Sequence, residues 1–337
     1  MGVSINDVAK RAGVSISTVS RIVNGTAKVA AQKEAAVRKA IAELQYEPNQ
    51  LGRGLAKQCT QLVGIYFYGG ISLLDSTYNL ELLKGAEEVL TPNGYSLVLL
   101  SDKPNVEVPS FYRYIRERRI DALLVSGLSS GIRQDSVFRE LIDSDFPISY
   151  IGKCFHEKGL NVYAQFEEYH VEMVRILRTN GHRKILIFQD VIHDHYIQQV
   201  KLRIGESFSG VELQAVQLSQ EDIPNIDGIL SAAVSNGFTA ACCPTIHDAV
   251  NLIHSCARLD FSVPEQISII AVEHRPEEGR DYYPAISAMY VPARQMGRVA
   301  AEQLLTAMGR KAEQRKHIEF HVAYTERNSI AERNSHA

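Results

Sequence analysis

The chain has 337 residues, 45% of them hydrophobic and 22% charged, with a formal net charge of −3. That balance excludes a disordered polymer, and no uninterrupted apolar run of about 18 residues reads as a membrane span. The length asks for more than one domain.

The charge is unevenly placed. Residues 1–58 hold nine basic side chains (Lys10, Arg11, Arg21, Lys28, Lys33, Arg38, Lys39, Arg53 and Lys57) against four acids (Asp7, Glu34, Glu43 and Glu47). The head is therefore +5 and the rest −8. A small basic head on an acidic body suits phosphate neutralisation without making the body adhere to DNA.

Residues 4–24 read as two short helices with a tight turn between them. Ser4 is placed to cap the first, with Asp7 at the capping-box position, and Val8 and Ala9 supply an apolar side. Ala12-Gly13-Val14 breaks the run where glycine permits an unusual backbone, and Ser15 is a natural cap for the second helix. There Val19, Ile22 and Val23 share one face, leaving Ser17, Thr18 and Arg21 outward, and Asn24-Gly25 ends it. A third helix carries the stripe Val37, Ala40, Ile41 and Leu44 and stops at Tyr46.

Pro48 then breaks helical geometry. Residues 50–58 form a potential helix weakened by Gly52 and Gly54, which is expected to be unstructured alone and to fold only against DNA and a second copy; a plain linker is the alternative. The expected organisation is a head over 1–46, a hinge over 47–59 and a body over 60–337.

In the body, near-continuous apolar strands alternate with helices. Strands are predicted at 61–67, 95–100, 122–126, 148–151, 184–189, 240–243 and 267–272. Helices are predicted at 80–90, 111–118, 137–144, 167–179 and 248–259. This pattern argues a parallel α/β fold, and about 270 residues favour two lobes over one core.

Asp7-Val8-Ala9, Ala12-Gly13-Val14-Ser15, Thr18-Val19-Ser20-Arg21, Asn24-Gly25, Leu44, Tyr46, Pro48-Asn49 and Leu55-Ala56 together resemble the N-terminal module of the LacI/GalR family of bacterial transcriptional regulators. Gly181-His182-Arg183-Lys184-Ile185, the run Val263 to Ile270 and Met296-Gly297 extend the resemblance to the C-terminal region. It implies an N-terminal all-α helix-turn-helix head and an α/β body of two doubly wound parallel-sheet lobes, like a periplasmic sugar-binding protein, with an effector between the lobes. It also implies a regulator, most often a repressor, that binds a palindromic double-stranded DNA operator as a homodimer. Carried over, Ile16, Ser17 and Arg21 face base edges, Leu55 is a minor-groove wedge, and Ser4, Ser15, Thr18, Asn24 and Asn49 hold phosphates. The chemistry is sound on its own terms: arginine can bond guanine twice, and isoleucine suits a thymine methyl. Unstacking by an apolar wedge kinks DNA.

The family's sugar-binding text is largely absent. Gly152 in Tyr150-Ile151-Gly152-Lys153 replaces an acid, no arginine follows His193 until Arg203, Thr245-Ile246 stands for an Asn-Asp pair, and Ala271-Val272-Glu273-His274 for a Gly-Phe-Asp-Asp phrase. Tyr66, Tyr68, Tyr78, Lys153, His195, Glu273 and His274 remain as candidate effector residues, for a sugar derivative, a chemically different ligand or none.

His193-Asp194-His195 reads as a polar loop rather than a metal site, and no cofactor is expected. Five cysteines without metal spacing, Cys242-Cys243 among them as strand hydrophobes, fit a reducing cytosol. No leader is read, so a cytoplasmic protein is expected. Glu277-Glu278 reads as a solvated loop. No leucine heptad precedes Ala337, which favours a dimer over a tetramer. Two further readings stay open: a carbohydrate-binding or carbohydrate-modifying α/β protein with an incidental head, and a regulator controlled by a protein partner. No enzymatic motif is read.

Overall fold

The computed structural model describes residues 3–24, 29–46, 59–68, 76–102, 106, 108–127, 140–141, 144–152, 154–157, 159–164, 166–190, 202–205, 210–218, 225–309 and 317–333. The chain divides into two compact units, one made of residues 1–62 with 114–121 and the other of 63–113 with 122–337.

Three helices form the head: α1 (Ile5–Ala12), α2 (Ile16–Asn24) and α3 (Ala31–Leu44). Their shared core is Val8, Ala9, Val19, Val37, Ala40 and Tyr46, flanked by half-buried Ile5, Val14, Ile22, Ile41 and Leu44. Val8, Ala9, Val19, Ile22, Val37, Ala40, Ile41 and Leu44 are among the apolar positions that the sequence spacing selects, whereas Ile5 and Val14 are not. Gly13 takes φ +65°, the left-handed backbone that reverses the chain between α1 and α2. Helix α3 starts at Ala30 without a side-chain cap, and Gln45 ends it at φ 48°.

The larger unit holds two sheets of six strands. The first lobe uses β1 (Leu62–Phe67), β2 (Ser96–Leu100), β3 (Ala122–Ser126), β4 (Ile148–Gly152), β5 (Leu160–Ala164) and the late strand β11 (His317–Phe320). The second uses β6 (Lys184–Asp190), β7 (Glu212–Leu218), β8 (Ala240–Cys243), β9 (Ser268–Glu273), β10 (Ser287–Tyr290) and β12 (Ala323–Thr325). The orders are β11-β5-β4-β3-β1-β2 and β12-β10-β9-β8-β6-β7. Leaving out the last strand of each, both run 5-4-3-1-2, so the strand order switches between β1 and β3 and again between β6 and β8. In such sheets ligands bind outside the carboxyl ends of the strands at that switch. The β1–β3, β3–β4, β4–β5, β5–β11, β6–β7, β6–β8, β8–β9 and β9–β10 ladders are parallel, and β10–β12 is antiparallel.

Helices α4 (Thr77–Leu90) and α5 (Ser110–Arg116) belong to the first lobe. Helices α6 (Phe166–Thr179), α7 (Ile226–Ser235) and α8 (Ile246–Arg258) belong to the second. Helix α9 (Ala293–Gly309) follows β10 of the second lobe yet packs on α4 and on β3, β4 and β5 of the first. The chain thus passes between lobes three times, after β5, after β10 and after β11. Alternate residues of the second sheet face different cores. Ile185, Ile187 and Cys242 join the cluster that runs on into the first lobe, while Leu186, Phe188 and Cys243 join the other. Burial on both faces is why these strands read as continuous apolar runs.

Ser76 Oγ accepts from the Asn79 amide at 3.3 Å, so α4 begins three residues before its predicted start. The predicted helix 137–144 lies mostly outside the described residues. Strands β5, β7, β10, β11 and β12 and helices α7 and α9 were not legible as elements. Strand β7 is an edge strand whose alternating Glu-Leu-Gln-Ala-Val-Gln-Leu lacks a continuous apolar run, and α9 is interrupted by Gly297.

Gly297 has a packing reason. A Cβ there would sit 2.2 Å from the Leu82 carbonyl oxygen, and one on Gly85 would sit 1.9 Å from the Arg294 carbonyl oxygen. Helices α4 and α9 therefore meet backbone to backbone, with Glu88 bonded outside the contact by Arg294 and by Arg298 at 3.0 Å. Overpacking a contact this close costs about 1–3 kcal/mol. Gly297→Ala should lower the urea midpoint of the body accordingly, and an unchanged midpoint would show that the helices can part without cost.

Candidate nucleic-acid interface and interlobe site

The entry to α1 is built by Asp7. Its Oδ2 accepts from the Ser4 amide at 3.0 Å and the Ser4 hydroxyl at 2.6 Å, and these bonds hold its carboxyl below the usual range. The entry to α2 is built by Ser15, whose Oγ accepts from the Thr18 amide at 3.3 Å and lies 2.9 Å from Ser17 Oγ and 2.8 Å from Thr18 Oγ1. A helix N-terminus ringed by three hydroxyls presents donors and a positive dipole end, which suits a phosphate.

Behind that surface Val19 is fully buried, which fixes the rotation of α2. Ile16 is consequently 50% exposed, and Ser17 and Arg21 are exposed beside it. Arg11 pairs with Glu43, and Arg38 with Glu34 at 2.8 Å. Among the described residues no acid lies in ion-pair range of Arg21. The sequence-selected Ser4, Ser15, Ile16, Ser17, Thr18 and Arg21 all lie on α1, α2 or their entries. The side chain of Asn24, and Asn49 and Leu55 with the rest of residues 47–58, lie outside the described residues.

In the body, Tyr66 and Tyr68 stand at the carboxyl end of β1, and Tyr78 opens α4 above it. Tyr66 packs edge-on against Phe111 at 4.8 Å and Tyr68 at 6.2 Å. Burial, then the Asp102 carboxylate, hold its phenol above the usual range. Tyr78 meets His274 of the second lobe edge-on, ring centroids 5.2 Å apart. Burial raises the Tyr78 phenol, with Ser126 at the end of β3 as the opposing hydrogen-bond neighbour. His274 is itself buried, and its Nδ1 has no hydrogen-bond partner among the described residues. The start of α4 in the first lobe and the carboxyl end of β9 in the second are thus joined by one aromatic contact. Lys153 and His195, with the His193-Asp194 pair, lie outside the described residues.

Glu273 does not fit its expected role as an effector ligand. It is 2% exposed and its two oxygens lie 3.1 and 3.0 Å from Arg327 Nη2, itself 6% exposed, while the Gly279 amide donates to Oε2 at 3.2 Å. The carboxylate is spent inside the lobe, tying β9 to the C-terminal segment. Glu278 also departs from expectation: it is 9% exposed rather than solvated, and accepts from the His274 amide at 3.1 Å and Arg275 Nη2 at 3.0 Å. Only Glu277, 58% exposed, fits the solvated loop. Cys242 and Cys243 are buried as expected, with burial pushing both thiols up.

Among the described residues no group of three or more His, Cys, Asp or Glu side chains could hold a metal, and no helix is long and apolar enough to cross a membrane. Pattern reading missed Asp121, which binds three consecutive residues at the entrance to β1. Its signal was a lone charge between Ile120 and Ala122, both buried.

The chain therefore combines, in sequence order, a three-helix head of helix-turn-helix geometry and a two-lobed, doubly wound body. Residues 4–49 match the family described as bacterial regulatory proteins, lacI family, and residues 174–330 match the periplasmic binding protein-like domain. The head is thus a lacI-type DNA-binding domain, and the body carries a periplasmic binding protein-like domain. It is 26% identical over 364 residues to the HTH-type transcriptional repressor PurR of Proteus mirabilis (strain HI4320), covering 98% of this chain and 97% of that one. It is 26% identical over 340 residues to the ribose operon repressor of Lactococcus lactis subsp. lactis (strain IL1403), covering 98% of each. The fold matches the lac repressor dimer bound to operator and the anti-inducer ONPF with a TM-score of 0.79 at 19% identity, over 98% of this chain and 100% of that one. A LacI-family regulator from Silicibacter pomeroyi matches with a TM-score of 0.77 at 18% identity, over 98% and 99%.

Burial lowers the pKa of His274 to about 4, and that of buried His182, held between Thr239 and Ala331, to about 4 as well. Both values lie below those of the unfolded chain, so their contribution is complete above pH 6.5 and is lost as pH falls toward 4. At about 1.4 kcal/mol per unit, each histidine removes on the order of 3 kcal/mol across that window. The urea midpoint should fall between pH 7 and pH 4.5, and less so in His274→Gln; equal slopes would place the acid sensitivity elsewhere.

Proposed function

We propose that this protein is a transcriptional repressor that binds a palindromic operator as a homodimer, with a small-molecule effector in the interlobe cleft changing its operator affinity. The observation that carries this reading is the exposed face of α2, where Ile16, Ser17 and Arg21 are presented by a helix whose opposite face is locked by Val19. Its relatives support it, being a PurR-type repressor and a ribose operon repressor. Ser4, Ser15, Thr18, Asn24 and Asn49 position the head on phosphates, and Leu55 wedges the duplex at the operator centre.

A palindrome is read by a two-fold pair. The edge strand β2 supplies a surface for one: Leu99 is 46% exposed, and half-buried Leu97, Leu80 and Leu83 line the adjoining groove with Lys84 and Glu87. A second copy laid on this edge covers apolar side chains that a monomer leaves in water. For the effector, Tyr66, Tyr68, Tyr78 and His274, with Lys153 and His195, are the candidates that remain after Glu273 is withdrawn. A ligand that prefers one lobe arrangement shifts the population toward it.

Selection of bound sites from random duplexes should return an inverted repeat, with affinity falling steeply as salt rises. Failure to enrich any repeat would end this reading. Arg21→Ala should cost about 1–3 kcal/mol at the selected site and relax preference at one position of each half-site. A uniform loss across all sequences would instead make Arg21 a phosphate contact. Leu99→Lys should shift the protein toward monomer in sedimentation, whereas an unchanged dimer would place the interface on another face.

A further inference from the structure

Strand β1 is held by its ladder and by the core its side chains enter. Its register with β3, Val63 opposite Ala122 through Phe67 opposite Ser126, is set by parallel pairing. Yet the three residues before it are held by one carboxylate. Asp121 Oδ1 accepts from the Thr60 amide at 2.8 Å and the Thr60 hydroxyl at 2.9 Å. Its Oδ2 accepts from the Gln61 amide at 2.7 Å and the Cys59 thiol at 3.0 Å. A carboxylate offers about four acceptor sites, and four donors take them.

The backbone is bent to make this possible. Gln61 has φ +59°, a left-handed conformation that a residue with a Cβ rarely adopts, and it turns two successive amides toward the same group. The other side of the clamp is equally fixed. The Asp121 amide donates to the Leu62 carbonyl at 2.8 Å and the Arg119 amide to the Tyr114 carbonyl at 2.8 Å. The Arg119 guanidinium lies 5.4 Å over the Tyr114 ring and bonds Glu117 at 2.6 Å. A rigid corner therefore holds residues 59–61, and residues 47–58 are joined covalently to Cys59.

We propose that Asp121 is a positioning residue for operator recognition: its carboxylate fixes the point and direction in which the hinge leaves the body, and so the placement of the two heads of a dimer. Two tethered heads gain affinity only when the tether lets both reach their half-sites at once. A base that is fixed favours the pair of half-sites over scattered single contacts. The inference rests on the operator-binding reading, and its test separates the two.

The test uses the full chain, the selected inverted repeat and a scrambled duplex of equal length, at one salt concentration. Asp121→Asn keeps the shape but turns an amide NH2 toward donors. Its affinity for the repeat should fall at least about tenfold and that for the scrambled duplex less than about twofold, with thermal unfolding unchanged. Thr60→Val, which removes one donor and keeps the carboxylate, should lose affinity for the repeat about two- to fivefold, and Thr60→Ser should restore it. Wild-type affinity of Asp121→Asn for the repeat, or a parallel loss on both duplexes, would overturn the proposal. If Asp121→Asn does not fold, the Thr60 pair decides: equal binding by Thr60→Val and Thr60→Ser would also overturn it. A wild-type protein that selects no duplex would bring down the operator reading itself, a separate outcome.

Discussion

The architecture of the body depends on a contact made without side chains. Where α4 crosses α9, Gly85 and Gly297 let the backbone of each helix sit against the carbonyl oxygens of the other. Helix α9 reaches that place after the chain has already completed β10 in the other lobe. The first lobe is therefore finished by residues that come after nearly all of the second. Three passages of chain between the two sheets, and one apolar cluster that runs from one lobe into the other, make the lobes inseparable in sequence and continuous in packing.

Polar groups divide along the same lines. The head keeps most of its basic side chains outward and spends its acids on caps and local pairs, as Asp7 does for Ser4 and Glu34 for Arg38. The second lobe instead buries a full ion pair, Glu273 with Arg327. Such a pair contributes little net stability but is costly to break, so it fixes one arrangement of the strand end. Next to it, His274 keeps a neutral ring against Tyr78 of the first lobe.

Much of this was legible in the sequence, for a physical reason in each case. Val8, Ala9, Val19, Val37 and Ala40 were readable as core because helical period and burial coincide in a head with one small core. Strands such as Ala122–Ser126 were readable because both faces are buried. Edge strands and the glycine-interrupted α9 were not, since their stability comes from partners remote in sequence. Glu273 was misjudged because an acid at a strand end looks the same whether it awaits a ligand or an arginine 54 positions away. Asp121 was missed because its partners lie some 60 residues earlier, and a lone charge between apolar neighbours does not say what it binds.

The alternation of β8 has one more implication. Cys242 and Cys243 are chain neighbours, but a pleated strand sends them into different cores, and Cys256 is buried beside the second of these. A vicinal bridge would require the strand to come apart, and alkylating agents reach these sulfurs only when the lobe opens. Cys59 and Cys154 are partly accessible in the folded chain. The order in which the five thiols are labelled therefore times the breathing of the second lobe against that of the rest, with no engineered probe.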